Sequence, residues 1–192
     1  MIFKQLQELY THMEAAYATV AQRMGLSCDG CQDNCCSSYF HHHTHIEWAY
    51  FWQGLHELPE AVRTRYLGRA LRAEAETQTA LSQGLRPQVM CPVNENGRCG
   101  MYSHRLMICR LHGVPNMLRQ PNGQVTHFPG CWKSQEITAQ NPEIPLLDRT
   151  PFYLRLAALE RQFLGPKRRH PWPKVHLTLA QMIVQGPPSL EP

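Results

Sequence analysis

The sequence predicts a mainly α-helical protein whose helices pack around an irregular cysteine-rich metal centre, with one small β-hairpin. Three observations predict it. Apolar residues recur at alternating steps of three and four, helix start and stop residues stand at the ends of those stretches, and eight cysteines gather in two blocks, residues 28–36 and 91–131.

The helices follow in order. Phe3, Leu6, Tyr10, Met13, Tyr17, Val20 and Met24 lie on one helical face, so residues 2–24 read as an amphipathic helix stopped by Gly25. Thr44 followed by Glu47 reads as a capping box, in which each side chain satisfies the other's unpaired backbone N–H, and opens a second helix ending near Pro59. A third, rich in Arg, Ala and Glu, runs from about Pro59 to Gly84. In the second cysteine block "QPNGQ" places an Asn-Gly pair where it can close a hairpin between Met117–Gln120 and Gln124–His127. After the loop "QNPEIPLLDR", Thr150-Pro151 opens a fourth helix that Gly165 closes. A basic, Pro-broken link, "PKRRHPWPK", leads to a short last helix near residues 175–185, and "GPPSLEP" reads as a frayed tail. On this reading residues 1–150 form the metal-binding domain and residues 151–192 a C-terminal helical extension.

Composition narrows the class. A 192-residue chain with 43% hydrophobic and 18% charged residues can bury a sizeable core, and a net charge of +4 is too mild to imply nucleic-acid binding. The N-terminal stretch lacks the basic start and apolar run of a secretory signal, and no segment approaches the roughly eighteen apolar residues of a membrane span. The expected location is the cytoplasm, with no membrane partner. Cytosolic thiols are kept reduced, and a core of this size needs no staples, so the cysteine density points to metal rather than disulfides.

"CDGCQDNCC" holds Cys28, Cys31, Cys35 and Cys36 in a stretch without periodicity, which needs something other than apolar burial to fix it. A thiolate metal site supplies that, because metal binding contributes folding energy directly. Cys28 and Cys31 form a C-x2-C knuckle. Adjacent side chains diverge, so Cys35 and Cys36 suit two sites, or two metal atoms of one cluster. The second block adds Cys91, Cys99, Cys109 and Cys131. Neither block contains two complete C-x2-C pairs, so the blocks are expected to share ligands, with residues 45–83 as an excursion between them.

The order C-x2-C-x3-C-C, then "CP", then "CGMYSHRLMICRLHGVP" and a late cysteine in "FPGCWK" resembles the YkgJ family of cysteine-cluster proteins. The resemblance covers about residues 25–131. It implies a zinc- or iron-chelating domain with Cys28, Cys31, Cys35, Cys36, Cys91, Cys99, Cys109 and Cys131 as metal ligands, and a relation to a flagellin lysine N-methylase. The family usually has Arg-Pro where this chain has Arg105-Leu106. Between metals, the diverging Cys35-Cys36 pair favours an iron–sulfur cluster, 4Fe–4S being one form, with zinc as the alternative.

Arg105 and Arg110 flank Cys109 and are the candidate cofactor-binding residues beyond the thiols. A four-thiolate centre carries negative charge that guanidinium groups can offset. In "FHHHTH" the entry to the second helix should point His41 and His43 one way and His42 the other, as surface or capping residues. His104 and His112 bracket Cys109 and rank behind the arginines. Three functional classes follow: a metal-binding protein acting through a protein partner, a zinc-binding regulatory or nucleic-acid-binding protein using "PKRRHPWPK", and a metal-dependent transferase. The first is favoured. No nucleotide-binding glycine loop or nucleophile–base pair is visible, and nucleic acid ranks below metal as a partner.

Overall fold

The structure is a computed structural model that describes residues 1–28, 35–141, 143–166 and 172–189, with the backbone alone described at Cys35. The elements run α1 (Ile2–Met24), α2 (His45–Glu57), α3 (Glu60–Ser82), β1 (Asn94–Glu95), β2 (Arg98–Cys99), α4 (Met107–Leu111), β3 (Asn116–Arg119), β4 (Val125–Phe128), α5 (Trp132–Gln140), β5 (Leu147–Asp148), α6 (Thr150–Leu164) and α7 (Leu179–Val184), with 3-10 turns at Cys35–Ser37 and Tyr102–His104. The protein is therefore mainly helical with small sheets, as the periodicity predicts. Among the described residues no helix is long and apolar enough to cross a membrane. Two compact units form, each from two stretches of chain: residues 1–35 with 107–162, and residues 36–106 with 163–192. The position expected to separate domain from extension, 150/151, falls inside the first unit at the start of α6.

In the first unit α1 packs against α4, α5 and β5. Of its expected stripe, Leu6, Tyr10, Met13, Val20 and Met24 are buried, while Phe3 and Tyr17 are half-buried. Leu6 and Met13 are wholly inaccessible, a burial that contributes about 1.5–3 kcal/mol for each such side chain. Gly25 ends the helix in the left-handed conformation, and the N–H groups of Gly25 and Leu26 donate to the carbonyls of Gln22 (3.1 Å) and Ala21 (2.9 Å).

The expected hairpin is present but set one residue earlier on its first strand. Asn116 pairs with Phe128 and Arg119 with Val125, while the Gln120 N–H donates to the Gln124 carbonyl at 2.8 Å, making those two residues the flanks of the tight connection. A third strand lies in what reads as loop. β5 runs parallel to β3, with the Leu147 N–H on the Pro115 carbonyl (3.0 Å) and the Arg149 N–H on the Met117 carbonyl (2.8 Å). The Asp148 carboxylate accepts the Thr150 N–H at 2.8 Å, which opens α6 at the expected residue. Leu156 and Leu159 of α6 are buried.

The core of the second unit gathers Phe51 and Leu55 of α2, Tyr66, Ala70 and Ala73 of α3, and Ala180, Met182 and Ile183 of α7, with Val93, Met101 and Leu106 between them. The indole N–H groups of Trp48 and Trp52 both donate to the Met182 carbonyl, at 3.2 and 2.8 Å, and hold the end of α7. The β1–β2 hairpin is tied to α3 by Glu95, which accepts from Arg65 (2.9 Å) and Arg69 (3.0 Å). The hydrogen bond from Arg65 holds the Glu95 carboxyl below the usual range.

The capping box expected at Thr44 takes a different form. Glu47 is buried, and the Thr44 hydroxyl donates to its Oε2 at 2.8 Å rather than accepting a backbone N–H. A buried carboxylate competes strongly for a hydroxyl donor, because a charge-assisted bond offsets part of its desolvation. The reciprocal box occurs instead at α7, where Gln181 N–H donates to Thr178 Oγ1 (3.2 Å) and Thr178 N–H to Gln181 Oε1 (2.9 Å).

His42 is 2% exposed and its Nδ1 has no hydrogen-bond partner. Burial, followed by the neighbouring His43 and His41, lowers its pKa from 6.5 to about 3. The native state therefore holds this ring neutral where the unfolded chain protonates it, so the stability is complete above pH 6.5 and falls as the pH drops toward about 3. Between about pH 8 and about pH 5, His42 should account for a loss of about 2 kcal/mol. Urea unfolding of the protein and of His42→Leu at both pH values checks this, the expected result being a shallower loss in the variant.

Candidate metal centre

The cysteines among the described residues divide between the two units, and each unit draws on both blocks. Cys28, Cys35, Cys109 and Cys131 belong to the first, and Cys36, Cys91 and Cys99 to the second. Cys31 and the Cys35 side chain lie outside the described residues, as does most of the basic link at residues 167–171. Among the described residues no three His, Cys, Asp or Glu side chains are grouped so as to hold a metal ion.

Within the first unit two contacts bring the cysteine-bearing segments together. Cys28 is exposed just past α1, and the preceding Ser27 carbonyl accepts the Lys133 ammonium of α5 at 2.8 Å. Cys131 is the N-cap residue of that helix, and its backbone N–H donates to the Gly113 carbonyl at 3.0 Å, just after the helix α4 that carries Cys109. The approach of these turns depends on Gly130. Its φ is +83°, and a Cβ there would lie 2.4 Å from the Gly113 carbonyl oxygen, so no larger residue fits ahead of Cys131.

In the second unit the chain returns after α2 and α3 to the first block. The Cys91 N–H donates to the Cys36 carbonyl at 2.9 Å, and both residues are half-buried. The Asn94 N–H then donates to the Cys91 carbonyl (3.0 Å), and Asn94 pairs with Cys99 across the β1–β2 ladder. Cys91 and Cys99 pack against the edge of the unit's apolar core.

Arg105 and Arg110 part company. Arg105 follows the Tyr102–His104 turn and its guanidinium lies 5.8 Å from the Tyr102 ring centroid. Arg110 is buried in α4, forms an ion pair with Glu14, and stacks over the Tyr10 ring at 4.2 Å. Both of those partners are on α1, so Arg110 binds the Cys109 helix to α1 through its charge as well as its stem. The alternation holds for the histidines, with His41 half-buried and His43 exposed, but His42 is buried and is not the surface or capping residue expected, because its place in the extended chain turns the ring inward. His104 sits against the Tyr50 ring at 4.4 Å, with Ser103 Oγ 3.0 Å from its Nδ1.

Lys133, Gly130 and Glu14 are position-setting residues that sequence reasoning misses. The Pro-Gly-Cys order in "FPGCWK" was a visible sign of a tight turn; Lys133 and Glu14 carry no local signal. The donor chemistry is uniform in kind, since the residues held in both units are thiols, which suit zinc and iron–sulfur ligation alike. The chain matches no protein-family model, no curated protein and no solved structure.

Removing the Glu14 carboxylate leaves the buried Arg110 charge without its ion-pair partner. Glu14→Ala should cost about 1–3 kcal/mol, less than for a fully buried pair because Glu14 is half exposed. Urea denaturation of the variant against the wild type checks the value.

Proposed function

We propose that the protein is a metal-binding cysteine-cluster protein of the YkgJ type, holding an iron–sulfur cluster or zinc through its thiolates. The observation that carries this reading is the return of the second cysteine block onto the first, marked by the Cys91–Cys36 backbone bond. A chain gains little from placing two thiol-rich, weakly periodic segments side by side unless something binds them. The boundary between the units falls at the peptide bond joining Cys35 and Cys36, which supports separate duties for those adjacent thiols. On this reading Cys35 joins Cys28, Cys31, Cys109 and Cys131, and Cys36 joins Cys91 and Cys99.

The chemistry the chain contributes is ligation and charge balance. Thiolate sulfurs bind only when deprotonated, so binding releases protons and weakens in acid. Arg105, in the turn between Cys99 and Cys109, is the cation proposed to offset thiolate charge. Since the aperiodic segment 28–36 has few apolar residues to anchor it, metal binding supplies folding energy there.

Purification without oxygen and without a histidine tag, followed by analysis for iron, zinc and acid-labile sulfide, tests the proposal. Brown protein with iron and sulfide in comparable amounts is expected, and colourless protein with zinc would select the alternative metal. Metal-free protein with an intact fold would overturn the reading.

The ligand division has its own measurement. Cys31→Ser and Cys109→Ser should each reduce metal content, and the pair together should add little to the worse single replacement, as for residues sharing one site. Cys36→Ser combined with Cys109→Ser should instead give additive losses. The reverse pattern would show that the ligands are divided in another way.

A further inference from the structure

Residues 39–45 and 172–178 meet along a seam built almost entirely from imidazoles. Its backbone part is the single antiparallel bridge between His42 and Leu177, in which the His42 N–H donates at 2.7 Å and the Leu177 N–H at 3.2 Å. On the outer side His41 and His176 stack at 3.8 Å with planes 13° apart, and His43 lies 5.2 Å from the same His176 ring. His43 Nδ1 is 3.4 Å from the Val175 carbonyl, and the Tyr39 hydroxyl is 3.1 Å from His41 Nε2. His45 and Trp172 close the far end, with ring centroids 5.9 Å apart.

Two neutral imidazoles stack favourably; two imidazolium rings at that distance repel, and little is present to offset the charge. Neither residues 35–46 nor residues 172–178 contain a carboxylate. The nearest acid in sequence, Glu47 at the start of α2, already accepts the Thr44 hydroxyl, and Lys174 adds a further positive group on the second strand. Burial, then His176, then His43, lower the pKa of His41.

We infer that this seam of stacked imidazoles is a proton-sensitive clasp, closed at neutral pH and opened when acid adds positive charge to the stack, releasing residues 172–177 from the entry to α2. Opening is local. α7 is held separately by its packing against α3, by the Thr178–Gln181 box and by the indoles of Trp48 and Trp52. The segment of residues 172–177 ahead of α7 is therefore the part that acid frees, in the range where imidazoles titrate.

Amide exchange of His42 and Leu177, corrected for intrinsic rates, reads the clasp directly at about pH 7.5 and about pH 5.5. Protection of both amides should fall on the order of tenfold more at the lower pH in His42→Leu than in His42→Leu combined with His176→Asn, a pair of variants that both lack the acid loss set by the buried His42 ring. Equal protection at both pH values in His42→Leu, or the same loss in the double variant, would overturn the clasp. If either variant does not fold, the His41 ring resonance of the wild type decides the matter. Titration below the usual imidazole value, with a broadened, two-step curve, is expected, and a single independent transition near about 6.5 would overturn the inference.

Discussion

One backbone hydrogen bond of the second unit, from the Cys91 N–H to the Cys36 carbonyl, closes the long loop that contains α2 and α3. Loop-closure entropy grows only logarithmically, so closing this loop costs about 2 kcal/mol more than closing one of hairpin size. Burial of a single large apolar side chain offsets that, and the loop buries several, among them Tyr50, Phe51 and Tyr66. The excursion between the cysteine blocks thus supplies the apolar core against which Cys91 and Cys99 are placed. Packing of α3 on α7 and the Trp48 and Trp52 bonds to Met182 then extend the same core to the end of the chain.

The first unit solves its problem with charge. α4 is only five residues long, too short to be stable alone, and it carries Cys109. Its hold on α1 combines buried Met107 and Leu111 with the Arg110 guanidinium, which reaches Glu14 and covers the Tyr10 ring. Arg149 acts in a comparable way nearby, buried over the Phe128 ring at 4.6 Å and donating to the Leu111 carbonyl at 3.3 Å. Buried arginines whose stems pack and whose heads cover a ring and reach a carboxylate or a carbonyl fix orientation where short helices and two-residue strands offer little apolar area.

The histidines show how one sequence pattern can serve two ends. In extended chain successive side chains point to opposite faces, so His42 goes inward as a neutral, depressed-pKa ring while His41 and His43 go outward to meet His176. The inward ring makes the unit sensitive to acid through a linked equilibrium. The outward rings make a particular contact sensitive through mutual repulsion.

Periodicity located α1, and proline and glycine signals located α3 and α6, because each of these cues is contained within the helix itself or the residues at its ends. Alternation placed His42 against its neighbours for the same reason. Pairing decided by distant residues was not legible. β5 exists because β3 offers it an open edge, and its two residues carry no strand pattern; the Thr44 hydroxyl left its expected cap because burial of Glu47, a tertiary event, created a stronger claim on it. For the cysteines, the sequence determined the two-block order. Which segments meet was decided by the fold, through Lys133 reaching Ser27, Gly130 allowing the Gly113 carbonyl close, and Cys91 returning to Cys36. Contacts between residues so far apart in the chain arise from packing free energy summed over whole units, and no local window of the sequence contains that sum.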